Sequence, residues 1–160
     1  YNPDDITKII KTHAWPHEGW GITHNNTELI ISDGTDKLYF VDPQSFKVLR
    51  SVQVNDHQGA VHRLNELEFI DGFVYANVWY TDNIVKIDPA NGNVVGIINC
   101  EGILAQHASS EAIKGSDVLN GIAWDSASKK MYITGKLWPI LCELELNEPK
   151  AVSTKPSLAN

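Results

Sequence analysis

The sequence is short of basic residues and of long apolar runs. It holds 13 lysine and arginine residues against 20 aspartate and glutamate residues, so its net charge is −7. No basic cluster interrupts this acidic balance, and a surface for nucleic acid or anionic lipid is therefore not expected. The apolar runs, such as 140–142, are far shorter than the roughly 20 residues that span a bilayer. We predict no nucleic-acid partner and no membrane partner.

Cysteine is scarce as well, with only Cys100 and Cys142 among the 160 residues. One pair does not make a disulfide scaffold. Two buried free thiols are the expected state, since free cysteine is often buried, although pairing of the two stays open. The compartment is indicated instead by the sequon at 25–27, which lies in a polar turn and predicts an N-glycan on Asn25.

What the sequence does contain is a repeat. The segments 40–43 and 86–89 match as Asp-Pro turns and set a period of 46 residues. Each copy carries three apolar runs rich in β-branched and aromatic residues, and turn-forming residues separate the runs. Antiparallel units that recur at about 40 to 50 residues are typical of β-propeller blades. The sequence therefore predicts an all-β propeller.

We predict one propeller domain over 1–160, and its boundaries follow from the repeat. The three copies lie at about 17–61, 62–116 and 117–148. The segment 101–116 breaks the repeat and is predicted to form an insertion on the rim with one or two helical turns.

Three blades cannot close a propeller, which typically has four to eight. An open ring would leave sheet faces and edges without partners. We therefore expect the missing N-terminal blades to come from a separate fragment or from a longer chain. The start at Tyr1 shows no signal peptide, which fits a processed or truncated beginning. The segment 1–13, with its three isoleucines, is expected to carry the outer strand of a preceding unit.

Two equivalent positions of the repeat are the candidate site. The first lies at the start of the innermost strand of each copy, and the second lies near the end of the following strand. In chain order, the first set is Trp20, Asn65 and Asn120, and the second is Asp33, Trp79 and Lys136. Inner strands line the central channel, so these side chains are expected at its mouth. The alternative is that the tryptophans belong to the core and the asparagines hold turns.

The six histidines do not predict a metal site. His13 and His17 are four residues apart, and His57 and His62 are five apart, in loop or strand context where such spacings do not converge on one ion. No catalytic metal and no other cofactor is expected. A structural cation bound by carbonyl groups in the channel stays open.

Seven ordered segments of the sequence resemble the signatures of one enzyme family. They are HEGWGIT at 17–23, SDG at 32–34, RLNELE at 63–68, YANVW at 75–79, DP at 88–89, DVLNGIA at 117–123 and TGKLWP at 134–139. Together they resemble the plant and bacterial type of glutaminyl-peptide cyclotransferase, or glutaminyl cyclase, over about 13–146. The resemblance implies a five-bladed β-propeller, of which this chain supplies about three blades, and a secreted or vacuolar protein.

The resemblance also implies an activity and a set of roles. The family converts the N-terminal glutamine of peptides to pyroglutamate and releases ammonia, without a metal. Trp20, Asn65, Trp79 and Lys136 match its pocket residues. We expect Trp20 and Trp79 to sandwich the glutamine side chain, and Asn65 to hydrogen-bond its amide or the substrate backbone. Lys136 is expected to offer positive charge to a developing oxyanion or to a substrate carbonyl. Asn120 and Asp33 are expected to contact substrate from the equivalent positions.

A carboxylate must also carry the proton from the amine to the leaving ammonia. In the family this glutamate lies in a Phe-Gly-Glu-Gly-like motif, which this sequence does not contain. We therefore expect it outside this chain. Glu66 and Glu18 are weaker candidates, because ordinary surface or turn roles suffice for them.

Two other functions stay open. The first is a non-catalytic propeller that binds peptides or a partner on its rim, since fold alone does not prove function. The second is a calcium-dependent enzyme of the lactonase type. Lys136 and the two channel tryptophans disfavour the second, because a cation site is weakened by an ammonium group beside it.

Overall fold

The computed structural model describes residues 2–146 and shows an all-β chain. Most of the strands form three antiparallel sheets in which strands adjacent in sequence are adjacent in space. The all-β prediction is confirmed. The structure does not describe Tyr1 or residues 147–160. The last two residues of the third predicted repeat are among them.

Sheet 1 corresponds to the first repeat. Its strands are β1 (Gly21–His24), β2 (Leu29–Ser32), β3 (Lys37–Val41) and β4 (Val48–Gln53), paired in that order. The turns between them are closed by short polar side chains. Asn25 Oδ1 accepts the backbone N–H of Glu28, and Asp42 Oδ1 accepts that of Ser45. Such Asx-type turns reverse the chain between strands.

Sheet 2 follows a small hairpin and corresponds to the second repeat. The hairpin is β5 (Asn55–Asp56) with β6 (Gly59–Ala60). The strands of sheet 2 are β7 (Leu64–Ile70), β8 (Phe73–Val78), β9 (Asn83–Ile87) and β10 (Val94–Asn99). Gly92 adopts a left-handed φ of 80° in the turn before β10.

Sheet 3 has three strands within the described part of the chain. The insertion between sheets 2 and 3 contains the short helix α1 (Ile103–His107), and the sheet is formed by β11 (Leu119–Asp125), β12 (Lys130–Gly135) and β13 (Cys142–Leu144). Helix α1 is far too short to cross a bilayer, and no helix within 2–146 meets the length and hydropathy that crossing requires.

The segment 1–13 was predicted to carry the outer strand of a preceding unit, and its described residues, 2–13, pair with no strand of sheets 1 to 3. Its backbone hydrogen bonds are local, as from the Asn2 N–H to the Lys8 carbonyl, and none reaches a sheet. Ile6, Ile9 and Ile10 are 60–76% exposed. A strand needs the hydrogen-bonding edge of a partner, and the predicted partner belongs to the preceding unit rather than to sheet 1. The outer strand therefore stays a prediction.

Two apolar cores hold the three sheets together. One lies between sheets 1 and 2 and includes Phe40, Leu67 and Val74. The other lies between sheets 2 and 3 and includes Ile84, Ile122 and Ile133. The inner strands β1, β7 and β11 contact one another in that order. This is the face-to-face stacking of neighbouring propeller blades, and it brings the starts of the inner strands together.

Candidate active site

A pocket of about 290 Å³ opens where the three inner strands begin. It is lined by Gly19, Trp20, Asn65, Trp79, Asn120 and Lys136. Five of the six side chains selected from the repeat therefore share one cavity, although they are spread over more than 110 residues of sequence. The pocket is at the small end of the range for ligand sites.

Strand order explains why these residues meet. Trp20 directly precedes β1, while Asn65 and Asn120 are the second residues of β7 and β11. Trp79 and Lys136 directly follow β8 and β12. In an antiparallel pair, the start of one strand and the end of the next lie at the same end of the sheet. Equivalent positions in each blade therefore point to one end of the channel.

A bulge redirects the backbone at both asparagines. The register shifts between Leu64 and Leu67 in β7, and between Leu119 and Ile122 in β11. Bulges re-aim side chains and are frequent beside active sites. Here they fall on the two residue pairs that contain the pocket asparagines.

Side chains of sheet 2 accept the N–H groups that the β11 bulge leaves unpaired. Asn77 Oδ1 accepts the N–H of Gly121 at 2.9 Å, and Glu66 Oε2 accepts that of Ile122 at 2.9 Å. Repeat comparison did not select Asn77. The available signal was an asparagine inside an otherwise apolar strand, where a buried amide requires a partner.

The second set of positions is followed in each sheet by a left-handed residue. Gly34, Tyr80 and Leu137 have φ values of 80°, 63° and 58°. For residues other than glycine this conformation costs roughly 1–2 kcal/mol. Tyr80 and Leu137 directly follow pocket residues, and strained backbone of this kind concentrates at functional sites.

The two pocket tryptophans contact each other directly. Their ring centroids are 4.9 Å apart and their planes meet at 87°, an edge-to-face pair. The predicted sandwich is therefore wrong, because parallel walls around a side chain need a separation of roughly 7 Å. The Trp20 indole N–H donates to Glu18 Oε2 at 2.7 Å, which fixes the ring as one wall of the pocket.

Lys136 supplies positive charge to the pocket. Its side chain is exposed, and its Nζ lies 5.5 Å from the centroid of the Trp79 ring. A cation at this distance over an aromatic face is attracted by the ring, which steers the flexible lysine stem toward the cavity.

Asp33 does not line this pocket, and its contact with substrate stays a prediction. Its Oδ1 accepts hydrogen bonds from the N–H and hydroxyl of Thr35, and its Oδ2 accepts one from the Tyr39 hydroxyl. Burial opposes ionisation of Asp33, but these hydrogen bonds outweigh it and hold the pKa of the carboxyl below its usual value. The carboxylate is used to close the turn after β2.

Neither weaker acid/base candidate lines the pocket. Glu18 is exposed and holds Trp20. Glu66 is half-buried between β7 and β11, next to Asn65. Burial raises the pKa of the Glu66 carboxyl to about 8, the neighbouring charge of Glu68 adds to the rise, and the hydrogen bond from Ile122 opposes it.

The histidines and cysteines considered in the sequence lie away from the pocket lining. His13 stacks on Phe46 and His17 on Tyr39, and within 2–146 no three His, Cys, Asp or Glu side chains are grouped as a metal site. Cys100 is buried and Cys142 half-buried, and both are free thiols. Burial, with the charges of Asp82 and Cys142, raises the pKa of the Cys100 thiol to about 11.

Comparison with known proteins gives consistent matches. The family model described as glutamine cyclotransferase matches residues 1–146. The chain is 40% identical over 152 residues to glutaminyl-peptide cyclotransferase of Arabidopsis thaliana, which is 93% of this chain and 47% of that protein. The crystal structure of Myxococcus xanthus glutaminyl cyclase is 38% identical, with a TM-score of 0.74 over 83% of this chain and 57% of that one. The chain thus spans about half the length of these relatives.

Proposed function

The chain belongs to the glutamine cyclotransferase family, and we propose that the protein containing it converts the N-terminal glutamine of peptides to pyroglutamate with release of ammonia. The observation that carries this proposal is the meeting of Trp20, Asn65, Trp79, Asn120 and Lys136 in one pocket. Each of these residues comes from the blade position that the repeat assigns to the channel mouth.

The reaction needs the substrate to fold back on itself. The α-amine nitrogen attacks the side-chain amide carbon and closes a five-membered ring, so the main requirement is a restricted conformation. The edge-to-face tryptophans form an angled apolar corner rather than a slot. We assign the aliphatic part of the glutamine side chain to this corner, with Asn65 as a hydrogen-bonding group beside it.

Attack converts the amide oxygen to an oxyanion, and this is the charge that Lys136 stabilises. The C–N bond to the amide nitrogen then breaks, and the proton given up by the amine leaves with ammonia. A positioned cation acts on the transition state more than on the neutral amide, so Lys136 contributes mainly to kcat.

We assign the proton transfer to a carboxylate on further blades that pack against sheet 1. Ile22 is 57% exposed, whereas the equivalent residues Leu67 and Ile122 are 1% and 7% exposed because the preceding sheet covers them. Ile22 and Ile31 form, with Trp15 and Phe46, an apolar groove of about 280 Å³ on this open face of sheet 1. Such a surface supports the packing of another blade there.

The test is mass spectrometry of a Gln-initiated peptide incubated with protein that carries this chain in its native flanking sequence. We expect the loss of one ammonia per peptide, with and without a chelator. Lys136→Ala should lower kcat by about 100-fold or more, as loss of an oxyanion donor does, and Trp20→Ala should mainly raise KM. Lys47→Ala, an exposed lysine in the turn between β3 and β4, is the matched control.

A folded sample that contains all blades and shows no loss above the spontaneous rate would contradict the enzyme proposal. That result would leave a propeller that binds peptides without turnover. A loss that Lys136→Ala does not slow would keep the activity but remove Lys136 from it.

We also propose that the protein passes through the secretory route, as a secreted or vacuolar glycoprotein. The sequon supports this, since Asn25 lies in the turn that follows β1 and belongs to neither apolar core. Enzymatic deglycosylation of protein from its source should lower its mass. An unchanged mass, with Asn25 unmodified in the peptide map, would contradict it.

A further inference from the structure

Three buried polar side-chain atoms have no hydrogen-bond partner within the described residues. They are Nδ2 of Asn77, Nε1 of Trp79 and Oδ1 of Asn120. A buried polar group without a partner costs about 1–3 kcal/mol, so such groups are rare and need an explanation. All three residues lie at or directly behind the pocket, and none lies in either apolar core.

Two of the atoms belong to residues that line the pocket, and they differ in kind. The Trp79 indole N–H can only donate a hydrogen bond, whereas the Asn120 oxygen can only accept one. The two residues come from different sheets and line the same cavity. The pocket lining therefore contains one buried donor and one buried acceptor that no described residue engages.

The third atom indicates why the Asn120 side chain is held in place. Asn77 is 1% exposed, and its Oδ1 accepts the N–H of Gly121, the residue after Asn120. This hydrogen bond fixes which way the Asn77 amide faces. It also fixes the bulge of β11 that carries Asn120, so the position of Asn120 depends on a contact between two blades.

A primary carboxamide matches this donor and acceptor pair. Its oxygen accepts hydrogen bonds and its NH₂ group donates them, whereas a carboxylate has only acceptors. We propose that Asn120 is a specificity-determining residue whose Oδ1 accepts a hydrogen bond from the side-chain NH₂ of N-terminal glutamine while Trp79 donates to its carbonyl oxygen. A glutamate in the same place leaves the Asn120 oxygen facing a carboxylate oxygen. This proposal rests on the proposed function and names the group by which the site separates Gln from Glu.

Asn120 also acts on the leaving nitrogen. As the ring closes, the carboxamide nitrogen becomes the nitrogen of ammonia, and an acceptor on one of its N–H bonds holds that nitrogen in a fixed orientation. Sites built to hydrogen-bond a substrate group discriminate against analogues that lack it, because buried polar atoms are then left unpaired.

The test compares a Gln-initiated peptide as substrate with the matching Glu-initiated peptide as competitive inhibitor, in protein with its native flanking sequence. The readout is the ratio of Ki for the Glu peptide to KM for the Gln peptide. Asn120→Ala and Asn120→Leu should lower this ratio by about 10-fold, the value of one buried hydrogen bond. Asn120→Asp keeps an acceptor and should keep or increase the ratio. Asn93→Ala, in the turn at the opposite end of sheet 2, is the matched control.

Two results would overturn the proposal. One is an unchanged ratio in both Asn120→Ala and Asn120→Leu. The other is an equal weakening of both peptides in all three variants, including Asn120→Asp, which is what a purely structural role predicts. If the wild-type protein turns over no Gln peptide, the proposed function fails, and quenching of the pocket tryptophans by the two peptides still measures the ratio as dissociation constants.

Discussion

Gly34 occupies a position that no other residue can fill without moving Trp20. It adopts a left-handed φ of 80°, and a Cβ built there would lie 2.5 Å from a ring atom of Trp20. At the scale of the residue, the site thus depends on a glycine that contacts no substrate. The Trp20 indole N–H is also held by a hydrogen bond to Glu18, which restricts how far the ring can adjust.

We predict that Gly34→Ala displaces Trp20 and impairs substrate binding more than folding. The left-handed conformation costs about 1–2 kcal/mol for alanine, and the ring must also shift. KM for a Gln peptide should rise by about 10-fold or more, while the protein stays folded. Gly72→Ala is the control, since Gly72 has a similar φ of 91° but open space around its Cβ position. Equal KM values for the two variants would argue against a role for Gly34 in placing Trp20.

At the scale of the element, hydrogen bonds between blades join the inner strands. Glu66 and Glu68 on β7 accept the N–H groups of Ile122 and Trp124 on β11. Both carboxyls have raised pKa values, burial being the first cause in each. The contact between sheets 2 and 3 is therefore sensitive to ionisation.

We predict that stability falls as the pH rises between 4.5 and about 8, in part because of Glu66. The folded protein holds a proton there that the unfolded chain, with an ordinary pKa of 4.5, has released. A raised acid pKa therefore stabilises at low pH and loses its contribution as the pH approaches the folded value. Glu66→Gln keeps the acceptor for Ile122 and should flatten the curve of melting temperature against pH. Glu111→Gln, on the exposed insertion, should not.

The elements were largely predictable from the sequence, whereas the directions of side chains were not. Each blade is encoded by a local pattern of apolar runs and turns, so the 46-residue period located the strands and the equivalent pocket positions. The same superposition could not show that Thr35 and Tyr39 engage the Asp33 carboxylate. It also could not give the ring planes of Trp20 and Trp79, which depend on packing between blades. The isoleucines of 2–13 indicate a strand of a preceding unit, but apolar spacing alone does not give the edge with which that strand pairs.

At the scale of the whole molecule, the described sheets end in an uncovered face. Ile22 and Ile31 lie on the open face of sheet 1. The equivalent positions of sheets 2 and 3 are buried against the preceding sheet. On sheet 1, Ile31 is buried, whereas Ile22 is widely exposed. Trp15 and Phe46 pack together beside this groove. Sheet 1 thus presents an apolar surface on which a further blade could pack.

We predict that Ile22→Lys destabilises the protein when it carries its native flanking sequence. If a further blade covers this face, the lysine is a buried unpaired charge and should cost at least about 2 kcal/mol in the free energy of unfolding. Ile97→Lys is the control, because Ile97 is 53% exposed on the outer part of sheet 2. Denaturant unfolding measures both. Similar midpoints for the two variants would show that nothing packs on Ile22.

The positions that form the pocket take no part in either apolar core. One set of residues thus stacks the sheets, and a different set lines the pocket. Sheet 1 contributes one side chain to the pocket, and sheets 2 and 3 contribute two each. Exchanging these five side chains would change the chemistry of the channel while keeping every residue of the two apolar cores.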